Sequence, residues 1–206
     1  MSTVVETPAT PAASSVKPYD LTVDLLSRMV EAGMLPEDRR IYLREGRLYE
    51  KMAKTKAHGY VGASINMALV PRLPAGWGLW PESTIVLDHT NAPLPDLAVI
   101  RGMSPLDYGS PDRYPEARDV GLLIEIAVTG LREDLTASLE LYARSLIPAY
   151  WVVDVVGKRI LAHSDPHVVD GRGTYARVET FLPGHELPLI LDGQEVARIP
   201  FDDMLR

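Results

Sequence analysis

The most informative hydrophobic pattern in the chain lies in residues 120 to 156, which read as strand, helix and strand in one unit. Residues 120 to 128 form a nearly continuous apolar, β-branched run broken by one acid, Glu125, as in a strand buried on both faces. Gly130 ends the run, after which Leu131, Leu135, Leu139, Tyr142 and Leu146 recur every three or four positions and predict a helix with one packed stripe. Ile147-Pro148 stops that helix, because proline cannot continue it, and Tyr150-Trp151-Val152-Val153 begins a second strand. The intervening length suffices for a parallel crossover. An unpaired carboxylate in such a strand is costly, so Glu125 must reach solvent at a strand end, pair with a cation, or hold a metal ion.

The remaining pattern supplies the flanks. Leu25, Leu26, Met29 and Val30 mark an amphipathic helix ending near Gly33. Alternation on both sides of Glu45-Gly46, from Arg40 to Met52, predicts a hairpin with a tight turn. Residues 56 to 70 predict a second helix, whose Gly59, Gly62, Ala63 and Ala68 allow close packing on a sheet. Strands are expected over 80 to 87, 96 to 100, 158 to 163 and 174 to 180, with a short strand and a helical end over 196 to 206. Residues 102 to 119 carry Pro105, Pro111 and Pro115 and are expected to form a loop over one sheet edge, placed to cap a site. Residues 1 to 17, rich in Pro, Ala, Ser and Thr, are expected to be a disordered tail ahead of one domain over 18 to 206. The expected class is α/β: a mixed, twisted sheet flanked by helices.

Composition narrows the function. With 206 residues, 46% of them hydrophobic, the chain can build one sizeable core but hardly two. The lack of cysteine rules out disulfides and thiolate metal sites and fits a reducing cytoplasm. Neither a membrane span nor a signal peptide is expected, for want of a long apolar run and a basic-then-apolar leader. A net charge of -7 argues against broad, non-specific nucleic-acid binding. Locally the balance reverses: between residues 39 and 58 seven Lys or Arg (39, 40, 44, 47, 51, 54 and 56) face two acids, Glu45 and Glu50. That stretch is either a phosphate-facing surface or an ordinary solvated hairpin.

Three segments carry a resemblance: Glu50-Lys51-Met52 followed by His58, then Pro95-Asp96-Leu97-Ala98-Val99, then Leu139-Glu140-Leu141-Tyr142-Ala143-Arg144 running into Ile147-Pro148-Ala149-Tyr150-Trp151-Val152-Val153-Asp154. In this order, from about residue 19 to 206, the chain resembles the Uma-type restriction endonuclease-like family of the PD-(D/E)xK nuclease superfamily. The resemblance implies a restriction endonuclease-like core, a homodimer, and hydrolysis of a phosphodiester, with DNA the expected substrate and Mg²⁺ or Mn²⁺ the cofactor. It makes Asp96 and Glu125 the catalytic acids and metal ligands, with the Ile126 carbonyl as a third ligand. Carboxylates on adjacent strands suit a hard cation, which lowers the pKa of a bound water and stabilises charge on phosphoryl oxygens.

The chain also departs from that pattern. The superfamily's lysine, two positions after the strand acid, is Ala127 here; the family's alternative, on the helix four residues after Asp134, is Ser138. Tyr42 stands where the hairpin usually carries Glu, and Val128-Thr129-Gly130 replaces a polar Asp-Ser-Ser segment. Lys51 is therefore expected to act as the substitute catalytic cation, with Arg132 as second choice. Two functions stay open: a metal-dependent nuclease, or a catalytically inactive module that binds nucleic acid or protein through the 39 to 58 hairpin or a dimer interface. Other candidates carry less. His163, Asp165 and His167 alternate as ligands on one strand face would, but Pro166 is expected to interrupt that strand. His58 reads as a helix-start surface or capping residue, and Tyr150 and Trp151 as sheet packing. No Gly-x-Ser-x-Gly supports a serine hydrolase.

Overall fold

The structure, a computed structural model, describes residues 19–36, 38–52, 55–102 and 113–205. The tail expected over residues 1 to 17 lies outside these, as do residues 103–112 of the expected loop. In chain order, α1 (Val23–Glu31) leads to the hairpin β1 (Ile41–Arg44) and β2 (Arg47–Glu50), then α2 (Lys56–Leu69). Next come β3 (Trp77–Pro81), β4 (Leu97–Arg101) and β5 (Val120–Ala127), then α3 (Leu131–Glu133), a π-helical turn (Asp134–Ser138) and α4 (Leu139–Arg144). β6 (Ala149–Asp154), β7 (Arg159–Val169), β8 (Arg172–Phe181), β9 (Glu186–Leu191), β10 (Gln194–Pro200) and α5 (Phe201–Met204) complete the chain.

β3 to β8 form one six-stranded sheet in chain order, antiparallel except where β5 meets β6 in parallel. The parallel pair is the crossover the helical stripe predicts. Every residue of β5 is buried, which accounts for a run that is apolar except at Glu125. On one face, α2, α5 and the β9–β10 hairpin bury Val61, Ile65, Leu189 and Phe201 against Leu122, Ile124 and Ile126. On the other, Leu141, Tyr142 and Ile147 pack on Leu123, Tyr150 and Val152. Glu125 belongs to this second face by the strand's alternation.

Local chemistry explains most boundaries. Glu45 and Gly46 both take positive φ, 48° and 69°, the conformation that a two-residue hairpin turn requires. α4 stops at Arg144, before the Ile147-Pro148 stop that the sequence suggested, because Leu146 turns left-handed at φ 56° and the Ile147 amide closes on the Tyr142 carbonyl at 3.1 Å. The strand expected over 80 to 87 is instead Trp77–Pro81: Glu82 at φ 50° turns the chain out of the sheet. Pro166 does not interrupt β7, which pairs with β8 through Pro166 and Tyr175. Pairing with β6 ends at Ser164, so this part of β7 is an edge, where a proline fits. β9 went unanticipated although Leu187, Leu189 and Leu191 alternate inward, because Pro188 disguised the run.

Candidate active site

Asp96 precedes β4 where its pairing with β5 runs out. The last paired residues are Leu97 and Ile124, so on that side the Ile126 amide has no strand partner; it donates instead to Asp96 Oδ2 at 2.8 Å. The carbonyl of Ile126 shares this side, since N–H and C=O of one strand residue point the same way. His58 comes from the opposite direction. The Thr55 side chain caps α2 by accepting the His58 amide proton at 3.2 Å, which sets His58 in the first turn facing the sheet. Its imidazole is buried, with Nε2 2.9 Å from Asp96 Oδ2, and so is not the surface residue expected.

Glu125 is held from the α4 side. The Tyr142 hydroxyl donates to Oε1 at 2.8 Å, and the Asp96 amide approaches Oε2 at 3.3 Å. Lys51, just beyond β2, stands between the two acids. Its Nζ lies 3.1 Å from Glu125 Oε2 and 2.9 Å from Asp96 Oδ1, and donates to the Leu94 carbonyl at 2.6 Å. Of the acceptors around its three N–H groups, the Leu94 carbonyl and Glu125 Oε2 take hydrogen bonds, while Asp96 Oδ1 is held by charge alone. Asp96, Glu125 and Lys51 are thus brought together, while Arg132 does not line the cleft onto which Lys51 and Glu125 open. Ala127 is buried in the sheet, and Ser138 lines the cleft without a charge.

Burial and charge set the protonation of this group. Asp96 and Glu125 are only 4% and 6% exposed, against 20% for the Lys51 side chain. Burial alone would raise the Asp96 carboxyl, but the His58 hydrogen bond and the Lys51 charge outweigh it and hold the group well below the usual range. For Glu125 burial wins over Lys51: with Asp96 and Asp134 adding repulsion, its carboxyl is pushed up to about 7. Asp134 is raised to about 6 by burial and the Asp96 charge. Burial opposes the charge of Lys51, yet Glu125 and Asp96 raise its pKa above the ordinary value.

Around these groups lies a cleft of about 230 Å³, walled by Tyr42, Arg44, Glu133, Asp134 and Ser138 among others. Arg44 pairs with Glu133 and sits 4.6 Å above the Tyr49 ring, on which Tyr42 stacks at 5.6 Å. A second cleft of about 180 Å³ opens on the α2 side, between His58, Asn66, Glu82 and Asp96. Much of the basic excess of the hairpin is spent internally: Arg39 pairs with Glu50, Arg40 with Glu82, Arg44 with Glu133 and Lys51 with the acid pair. His163 is buried while Asp165 and His167 are exposed, so that trio does not converge.

Oxygen donors from two carboxylates converge within 3.1 Å of one point, a donor set suited to a hard divalent cation. The Lys51 ammonium holds that point, so the acids supply donors of the kind a metal takes while the position between them is filled. No cluster of three or more His, Cys, Asp or Glu suited to a metal occurs among the described residues. Two partners were missed in the sequence. The signal for Tyr142 was a phenol in an otherwise leucine-rich stripe facing a strand that carries Glu125; for His58, the Thr55 cap marks the helix start but nothing local says which way that turn faces.

A crystal structure of a putative nuclease belonging to DUF820, from Anabaena variabilis ATCC 29413, superposes with a TM-score of 0.57. At 14% sequence identity the match covers 85% of this chain and 96% of that one, and shows a shared fold. No curated protein matches the sequence. Among the described residues no helix is long and apolar enough to cross a membrane. Residues 26–198, most of the chain, match the Uma2 model, described as "Putative restriction endonuclease", and the chain therefore belongs to the Uma2 family.

Proposed function

We propose that the chain is a metal-dependent nuclease that hydrolyses phosphodiesters of DNA at Asp96 and Glu125, with Lys51 as the catalytic cation. The observation that carries this reading is the convergence of two buried carboxylates from adjacent strands on one ammonium, at 2.9 and 3.1 Å. Bound Mg²⁺ or Mn²⁺, held by Asp96, Glu125 and the Ile126 carbonyl, would supply an activated water and positive charge at the phosphoryl oxygens. The protein's own contribution is positioning. His58 and the Ile126 amide orient Asp96 and keep it ionised, Tyr142 fixes Glu125, and Lys51 offers charge to the phosphate. Reducing surroundings suit the cysteine-free chain, hence a cytoplasmic setting, and a symmetric homodimer is the expected assembly.

Plasmid DNA incubated with the purified chain and Mg²⁺ or Mn²⁺ tests the proposal. Cleavage is expected to stop with chelator and to fall by roughly 10² to 10³ or more in Asp96→Ala. Undiminished cleavage in that variant would refute the assignment. The second reading, a nuclease-fold binding module, draws support from the Lys51 ammonium, which is already held within the protein by the Leu94 carbonyl and the two acids. Gel-shift binding of DNA with no cleavage at any metal concentration favours it.

A further inference from the structure

The geometry points to Lys51 as an internal counter-ion that closes the metal position: we propose that a divalent cation binds by displacing its ammonium from Asp96 and Glu125. The proposal rests on the nuclease reading, in that it takes this acid pair as the metal-holding group.

Three of the pair's four oxygens accept hydrogen bonds from protein donors, and the fourth, Asp96 Oδ1, meets Lys51 only as an ion pair at 2.9 Å. Asp96 Oδ2 meets His58 Nε2 and the Ile126 amide, and Glu125 Oε1 meets the Tyr142 hydroxyl. Lys51 takes Asp96 Oδ1 and, together with the Asp96 amide, Glu125 Oε2. A metal ion must therefore evict something. The backbone amides are set by the sheet, Tyr142 is sealed between α4 and β6, and His58 sits in a capped first turn of α2. Lys51 differs: it lies past the end of β2, on a four-carbon stem, and its side chain borders the open cleft. Hard cations coordinate carboxylate oxygen at about 2.0 to 2.6 Å, which leaves no room for an ammonium at the same point. Binding becomes an exchange of one cation for another.

The cleft also holds somewhere for the displaced group to go. Asp134 lines it, and among the described residues its carboxyl has no hydrogen-bond or ion-pair partner. Movement of Nζ in that direction turns Lys51 from a plug into a cation facing whatever occupies the cleft. Lys51 thus supplies part of the site's counter-charge without metal, and weaker metal affinity in the unmodified chain than in one lacking that ammonium follows.

Calorimetric titration of Mn²⁺ into the full chain and into Lys51→Met at pH 7.5, with thermal melts of both, tests this. The variant is expected to bind Mn²⁺ at least about tenfold more tightly, to melt lower without metal, and to regain melting temperature with it. Equal or weaker affinity in the variant overturns the proposal while leaving the nuclease reading intact. Absence of Mn²⁺ binding to both proteins overturns the two together. Should Lys51→Met fail to fold, crystals of the unmodified chain soaked in Mn²⁺ decide: an ion on Asp96 and Glu125 with Nζ beyond about 4 Å of both supports displacement. An ion bound beside an unmoved Lys51, or no ion at the acids, refutes it.

Discussion

Asp154 ends β6 at the same edge of the sheet where Asp96 and Glu125 meet, and it is buried like them. Its partners are local. The Gly157 amide donates at 2.8 Å and Arg159 Nε at 2.8 Å, three and five residues further on, so Asp154 clamps the β6–β7 turn. A Cβ on Gly157 would fall 2.2 Å from Asp154 Oδ2, which is why the turn needs glycine there. Asp96 and Glu125 draw their partners from far away: Lys51 is 74 residues from Glu125, and His58 is 38 from Asp96. Burial raises Glu125 and Asp134, and one lysine serving both acids, with Asp134 near by, leaves too little positive charge to offset it. A buried acid satisfied by its neighbours is a structural clamp; a buried pair left short of charge is poised to take up a cation or a proton.

Cavity size points elsewhere. A larger groove, about 700 Å³, opens at the other end of β5 and β6, lined by Trp77, Trp151, Phe181 and Leu189 among others, with an Arg101–Asp192 ion pair at its rim. Its volume follows from apolar walls that the β7–β8 arm and the β9–β10 hairpin hold apart. The small clefts beside the acids hold the charge that chemistry needs, and we place the site there.

The largest effect expected to sharpen this contrast is on stability against pH. The fold raises Glu125 from its ordinary 4.5 to about 7, so between those values the folded chain keeps a proton that the unfolded chain has released. Stability is therefore full below the ordinary value, falls as pH rises through the window, and levels off above it, a loss on the order of 3 kcal/mol. Urea denaturation from pH 4.5 to 8 should show the decline, to which Asp134, raised to about 6, adds in the same direction; Glu125→Gln should remove the part above about pH 6. Next in size, Asp154→Asn should cost about 1 to 3 kcal/mol in the same assay at pH 7, yet leave DNA cleavage within about twofold. Loss of cleavage in that variant would erase the distinction between clamp and site. The smallest effect belongs to Tyr142→Phe, about 1 kcal/mol. Because the phenol's hydrogen bond lowers the Glu125 pKa, its removal should also move the midpoint of the pH decline upward.

Much of this was legible before the fold. The two-residue turn at Glu45-Gly46, the crossover from β5 through a helix to a parallel β6, and the buried strand with one acid all follow from patterns a few residues long. The same patterns misplaced β3, where Glu82 leaves the sheet, and hid β9 behind Pro188. They also misread His58, because a capping threonine announces a helix start without saying which way the turn will face.

Sequence by itself determined that Glu125 would stand in a buried strand and would need solvent, a cation or a metal, since periodicity and the cost of burying charge are local facts. Which partner it found, Lys51 at 3.1 Å and Tyr142 at 2.8 Å, only the tertiary structure decided. Those contacts depend on how a hairpin and a helix dock on opposite flanks of one strand, and docking is settled by packing over the whole core, which no short window of residues contains.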